Sequence, residues 1–450
     1  MEHNSLETHV VVIGAGVRGI SAAAYLAQAG YKVTVYEKDN VPWGLSRVLN
    51  RDGFRFDRCP SWYWMPAEHD RWFADLGARR EDYYAVQRLD PNYKIYFGDS
   101  LAEEPLRVVT VPAALEATKA MFESYEPGAG KRLDTFLEKA RRTHEFVMSE
   151  RNHRIFNWPF TTYHSLVERY FTHPYLRKIL ELPVVSLGGL AATIPARYKL
   201  INYIDFGLGR WSPEGGVEKV VESMHHLAES YGARFVFNTE VTGVRSSDGR
   251  ASRVKVRSNC DEDEVHADAV VAGFGWPYGE KTVAPAVLNF DVGFNRKLPS
   301  LAHRSYFYNT DRNEHFAVGH GNRRGPDVPY FYLDIPSFTD PSCAPEGHEA
   351  VSIRIPWSEG TDDSDELREH CLNIVLNHLE KVTGETLRDT IVFYEAAWLP
   401  PMHMSTRLSK LCYAGHSLLQ GTETTMSMIS GRHAAVRVSL RAPGTRSSPQ

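Results

Sequence analysis

Residues 8–12 read as a buried strand, Gly14-Ala15-Gly16-Val17-Arg18-Gly19 follows at once, and residues 20–29 and 32–36 read as a helix and a second strand. Strand, glycine-rich turn, helix and strand in that order constrain the fold more than any other feature, because they form the opening βαβ unit of a Rossmann-like sheet. The first glycine lets the chain turn tightly, the second lets backbone touch a pyrophosphate, and the third permits close helix-to-strand packing. The helix N-terminus adds unpaired N–H groups. Glu37 ends the second strand, where an acid accepts from the ribose hydroxyls of an adenosine. A GxGxxG alone is weak; its flanks make it specific. A dinucleotide cofactor is therefore expected at Gly14, Ala15, Gly16, Gly19, Glu37 and the adjoining Lys38.

The stretch after Glu37 bears on which dinucleotide. Lys38 suits the 2′-phosphate of NADP, but Glu37 beside it would set two anions against each other. Trp43-Gly44-Leu45-Ser46-Arg47 then places a glycine turn and an arginine just past the second strand, like the loop that flavoproteins fold over the pyrophosphate. Gly44, Leu45 and Arg47 are candidates there, arginine because its charge and several donors meet phosphate or flavin carbonyl oxygens. A solvated surface position is the alternative for Arg47. The segment from Gly273 to Gly279 has Pro277 where a helix should start, so it reads as a turn and no separate NADPH domain is expected.

Further along, Gly53-Phe54-Arg55-Phe56-Asp57 and Pro60-Ser61-Trp62-Tyr63-Trp64-Met65-Pro66 resemble segments of the phytoene desaturase (carotenoid desaturase) family of FAD-dependent oxidoreductases. Thr193-Ile194-Pro195-Ala196-Arg197-Tyr198, Trp211-Ser212-Pro213-Glu214-Gly215-Gly216-Val217 and Pro336-Ser337 with Thr339-Asp340-Pro341-Ser342 extend the resemblance over most of the chain in the same order. It implies FAD as cofactor and adds Pro60, Ser61 and Trp62 to the flavin-binding candidates. It also implies that Val241 reaches the adenine through its backbone, and that Gly415, Thr425 and Met426 belong to a turn and helix N-terminus aimed at the isoalloxazine ring. A helix dipole suits that place because reduction puts negative charge on the N1 and C2 carbonyl edge. The chain departs from the family where His416 to Thr425 replace a glycine- and proline-rich turn, where Leu45 replaces a glycine, and where Arg18 stands for a glycine.

Composition narrows the class. The chain has 450 residues, enough for two interleaved domains, with 42% hydrophobic and 24% charged residues. Net charge is −5 without a Lys/Arg block, so nucleic acid is not an expected partner. Residues 1–9 lack a signal-peptide pattern and no run reaches the roughly 18 apolar residues of a membrane span. Cys59, Cys260, Cys343, Cys371 and Cys412 are scattered, without CxxC pairs, as in a reducing compartment. The expected setting is the cytoplasm, with peripheral membrane contact as the route to a water-insoluble substrate. Metal clusters, a GxSxG elbow and an HExxH helix are missing from the sequence.

The expected fold class is α/β: a Rossmann-like FAD-binding domain, of the glutathione-reductase or amine-oxidase kind, with an α+β substrate domain containing a mixed sheet. The FAD-binding domain is discontinuous, 1–75, 211–276 and 395–442; the substrate domain is 76–210 and 277–394; 443–450 is a disordered tail. Helices are expected at 129–148, 216–231, 362–380 and after Thr425, and strands at 234–237, 253–257, 265–272 and 411–415. Aromatic stretches at 158–160, 306–308 and 330–332 are candidates for the wall of an apolar tunnel, with ordinary core as the alternative. The resemblance implies hydride removal from an extended polyene or isoprenoid to flavin N5. Reduction, cyclisation or isomerisation of a polyene stays open, as does a flavin-free lipid chaperone of the GDP-dissociation-inhibitor type. No residue stands out as a general base, and the sequence does not set an oligomeric state.

Overall fold

The computed structural model describes residues 8–42, 48–58, 63–98, 106–148, 161–185, 194–247, 250–259, 261–272, 280–282, 286–308, 330–357, 363–399, 403–405, 412–413 and 424–441. The opening unit is strand β1 (His9–Ile13), helix α1 (Val17–Gln28) and strand β2 (Lys32–Tyr36). They sit inside a five-stranded parallel sheet whose order is Cys412–Tyr413, Ala269–Ala272, β1, β2 and Arg234–Val236. Because both faces are covered, β1 and β2 carry near-continuous valines rather than alternating polarity. Val10, Val12, Val33 and Val35 pack under α1, Gly216–Ser230 and the C-terminal helix Thr424–Arg441. Val11 faces the other way, onto an antiparallel meander of Thr239–Ser247, Arg250–Ser258 and Asp261–His266.

Two expectations need correcting here. The helix expected from residue 20 already begins at Val17, so Gly19 lies inside its first turn; packing against the sheet outweighs the low helix propensity of glycine. Residues 265–272 are not one strand. Asp261–His266 closes the meander and Ala269–Ala272 joins the parallel sheet. At the break, the Asp268 carboxylate accepts from the His9 N–H at 2.8 Å and the Asp268 N–H donates to the His9 carbonyl at 2.9 Å. An apolar run carries no mark of a change of sheet.

The second large sheet has seven strands in the order Ile391–Leu399, Ala286–Phe294, Glu349–Trp357, Phe331–Asp334, Arg304–Tyr308, Tyr93–Phe97 and Arg107–Val111. Its pairs are antiparallel except Arg304–Tyr308 with Tyr93–Phe97, which makes the sheet mixed. The period of two sorts its aromatics. Phe307 and Phe331 stack 4.4 Å apart in the core under helix Asp365–Thr383. Tyr306, Tyr308, Tyr330 and Tyr332 face a different cluster, shared with helix Ala129–Met148, with residues 163–182 and with Met426 and Ile429 of the C-terminal helix. Among the described residues no helix is long and apolar enough to cross a membrane.

Candidate functional site

Backbone rather than side chains fronts the crevice at the carboxyl ends of β1 and β2. Gly14 adopts φ +89°, and its N–H donates to the Tyr36 carbonyl at 2.8 Å, tying the turn to the end of β2. Among the described residues, a Cβ at Gly14 or Gly16 would meet no atom within 4 Å, whereas one at Gly19 would lie 1.9 Å from the Gly14 carbonyl oxygen. α1 starts after Gly16 without a side-chain cap and without an acid in its first turn, so its positive dipole end addresses the crevice. Glu37 is buried; Oε2 accepts from the Ala15 N–H at 2.7 Å and Oε1 from the Asp39 N–H at 3.0 Å. A carboxylate has about four lone-pair sites, and the described residues take two of them, leaving two that match two vicinal hydroxyls. Lys38 is exposed. The Thr239 N–H donates to the Glu37 carbonyl at 2.8 Å, which starts the strand carrying Val241 beside the same acid.

Thr425 and Met426 lie in the first turn of the C-terminal helix, which packs intimately on α1. A Cβ at Gly431 would come within 2.3 Å of the Arg18 carbonyl oxygen and 2.6 Å of the Ser21 side chain, so only glycine allows this approach. The Arg18 guanidinium donates to the Ser427 hydroxyl at 3.2 Å, and the Ser21 hydroxyl to the Met428 carbonyl at 2.7 Å. Two helix N-termini are thereby fixed relative to each other. Gly44, Leu45, Arg47, Pro60, Ser61, Trp62 and Gly415 lie outside the described residues, as do residues 158–160 and 273–279.

Segments far apart in sequence converge on a second, polar crevice. A tight Asp52-Gly53 turn, both residues with positive φ, returns the hairpin Val48–Arg51 to Phe54–Asp57 and delivers Asp57 beneath helix Gly216–Ser230. Asp57 Oδ2 accepts from the Val217 N–H at 3.0 Å, while Asp340 Oδ2 accepts from the Gly215 N–H at 2.9 Å and from Arg55 at 2.7 Å. Gly215 and Gly216 have φ +82° and +72°, and a Cβ at Gly216 would lie 2.6 Å from Asp57. Two carboxylates thus hold the glycine pair. Burial pushes the Cys343 thiol beside Arg55 up to about 12, leaving it protonated and inert.

Behind the first turn of the C-terminal helix lies His69, fully buried, its ring stacked 4.1 Å from Tyr63 and its Nε2 3.0 Å from the Thr425 hydroxyl. Burial, helped by the Arg80 charge, pushes its pKa down to about 3 from the usual 6.5. Below pH 6.5 the unfolded chain takes up a proton that the folded protein refuses until about pH 3. Stability from this site is therefore complete above pH 6.5 and falls as pH drops through that window, by up to roughly 1.4 kcal/mol per pH unit. His69→Gln is expected to flatten the dependence of melting temperature on pH between 6 and 4; an unchanged slope would count against the assignment.

Comparison with known proteins decides the family. Residues 19–274 match the model of the flavin-containing amine oxidoreductases. Carotenoid 3,4-desaturase of Haloarcula japonica is 32% identical to this chain, over 95% of it and 97% of the relative. The chain belongs to the flavin-containing amine oxidoreductase family. The zeta-carotene-forming phytoene desaturase of Myxococcus xanthus is 31% identical over 79% of this chain and 73% of its own, so the expected family is borne out. A Rab GDI from Plasmodium falciparum also superposes, with a TM-score of 0.58 at 13% identity over 98% of this chain and 100% of that one. That likeness is one of fold. Family membership makes this amine oxidoreductase an FAD-dependent enzyme and sets the chaperone reading aside.

FAD fits what the described residues of this amine oxidoreductase present: a crevice that Cβ atoms at Gly14 and Gly16 would enter without meeting any of them, an uncapped helix end and a buried acid with two lone-pair sites that none of them takes. Sequence reasoning passed over Asp57 and Asp340 as individual residues, although both stand in segments that carried the resemblance. It missed His69 and Gly431 altogether. Their partners lie in distant segments, and no local motif marks either.

Proposed function

We propose that this oxidoreductase dehydrogenates an extended apolar polyene or isoprenoid, introducing a double bond. The observation that carries the reading is end-to-end similarity to an enzyme named for a carotenoid, 32% over 95% of this chain, which spans the mixed-sheet half as well as the βαβ half. Bound FAD supplies the hydride acceptor. The chain binds, orients and excludes water. Gly14, Ala15, Gly16 and Gly19 cradle the pyrophosphate, Glu37 accepts from the ribose with Lys38 at its rim, and the Val241 backbone meets the adenine. Gly44, Leu45 and Arg47 close over the phosphates. Pro60, Ser61 and Trp62, with Gly415, Thr425 and Met426, surround the ring. Tyr306, Tyr308, Tyr330 and Tyr332, in one apolar cluster with Met426, wall the polyene site; Phe307 and Phe331 are core beneath the sheet. Residues 1–75, 211–276 and 395–442 act as the cofactor half, and 76–210 with 277–394 as the substrate half. The working location is the cytoplasm, in peripheral contact with the bilayer that dissolves the substrate; liposome flotation checks that contact.

Anaerobic incubation of the yellow holoprotein with candidate polyenes tests the reaction. Bleaching of the flavin with a product lighter by two hydrogens is expected. A product heavier by two hydrogens, or of unchanged mass, would replace the proposal by a reductase, or by a cyclase or isomerase. For the ribose contact, Glu37→Ala removes charge-assisted bonds of roughly 1.5–3 kcal/mol, so FAD titration is expected to show about ten- to a hundredfold weaker binding.

A further inference from the structure

Five buried groups form one hydrogen-bond chain behind the C-terminal helix. Tyr63 Oη lies 3.0 Å from Tyr84 Oη, which lies 3.3 Å from His69 Nδ1. His69 Nε2 lies 3.0 Å from Thr425 Oγ1, whose hydroxyl donates to the Trp64 carbonyl at 2.6 Å. None of these residues exceeds 5% exposure. The polarity of the chain is fixed by its last acceptor, because a carbonyl cannot donate. Thr425 spends its only proton on Trp64, so it must accept from His69, which makes His69 the Nε2–H tautomer. Nδ1 then accepts from Tyr84, and the Tyr84 oxygen accepts from Tyr63. Each bond in the chain thereby has one direction, and a proton added to Nδ1 would break the Tyr84 bond.

The last two members of this chain belong to the segments that flank the proposed ring site: Thr425, in the first turn of the C-terminal helix, and Trp64, just past residues 60–62 and Tyr63 in sequence. We propose that His69 is a positioning residue of the flavin site, acting through Thr425 to fix the first turn of that helix against the Trp64 segment and so to set the reduction potential of the flavin. The inference rests on the reading above that this helix end addresses the ring. Stacking on Tyr63 holds the imidazole plane, and the burial that keeps His69 neutral keeps a competing cation from behind the helix N-terminus. Misaligning the helix N–H groups weakens their hold on the negative charge of the reduced ring.

The midpoint potential of the bound flavin, measured against redox dyes in the purified holoprotein, tests this. His69→Leu and Thr425→Val are each expected to favour the oxidised flavin about tenfold, a shift of about 30 mV to more negative potential for two electrons. His69→Gln, whose amide both donates and accepts, and Thr425→Ser should keep the wild-type value. If His69→Leu fails to fold, Thr425→Val decides, since it removes the same link from the other element. Wild-type potential in flavin-loaded Leu and Val variants would overturn the proposal while leaving the flavin site intact. Wild-type protein that neither retains nor takes up FAD would instead sink the site reading itself.

Discussion

Gly16→Ala is expected to leave the apoprotein nearly as stable as the wild type while costing it most of its FAD. The residue has φ −75° and ψ 172°, which alanine adopts readily, and its Cβ would meet no atom of the described residues within 4 Å. The stability cost is at most about 1 kcal/mol, since alanine is a poorer helix N-cap than glycine. The methyl instead enters the space through which a pyrophosphate approaches the α1 N-terminus. Intrusion into a close-packed contact costs roughly 1–3 kcal/mol, or about ten- to a hundredfold in affinity. Gly19→Ala should behave differently, because its Cβ would lie 1.9 Å from the Gly14 carbonyl oxygen and 3.3 Å from Val12 Cγ1. Backbone cannot swing aside as a side chain does, so both melting temperature and FAD content should fall. Thermal melts of the apoproteins and FAD titrations separate the two. Full FAD affinity in Gly16→Ala would show that the cofactor does not lie on this turn.

Arg210→Met is expected to cost about 3–5 kcal/mol of folding stability, because it strands a buried carboxylate. Asp205 and Arg210 pair with side-chain exposures of 0% and 4%, at the end of a π-helical stretch, Tyr203–Leu208. The same guanidinium donates to the Tyr306 hydroxyl at 2.7 Å and sits 4.3 Å from the centre of the Tyr93 ring. Removing it leaves the buried Asp205 carboxylate without its cationic partner, in a cluster of tyrosines and aliphatic side chains. Asp205→Asn combined with Arg210→Met should recover much of the loss, since the strandee is then neutral. Chemical denaturation of the single and double variants gives both values; a single variant within 1 kcal/mol of wild type, on the scale of a surface pair, would overturn the buried-pair account.

Much of the parallel-sheet half could be read locally. The spacing of valines and glycines placed β1, α1 and β2 to within a few residues, because a covered parallel strand and a glycine turn each show within a dozen positions. Helix Ala129–Met148 matches its expected limits, its apolar stripe of Leu133, Phe136, Leu137 and Ala140 being buried. The aromatic stretches at 306–308 and 330–332 stand out in the sequence, but not which aromatics face which core; both belong to strands, Arg304–Tyr308 and Phe331–Asp334, whose side chains alternate. The alternation shows two faces and leaves open what lies over each.

The sequence by itself determined that this chain opens with a βαβ unit whose glycine turn is the proposed nucleotide cradle, since glycines, valines and an acid act there through backbone geometry within one unit. Only the tertiary structure decided what supports that cradle. Thr425 meets His69 across 356 positions, Asp340 and Asp57 accept from the N–H groups of Gly215 and Val217, and Gly431 brings two helices into contact. These pairings depend on how whole elements pack, and packing between distant segments leaves no period in the chain for a reader to find.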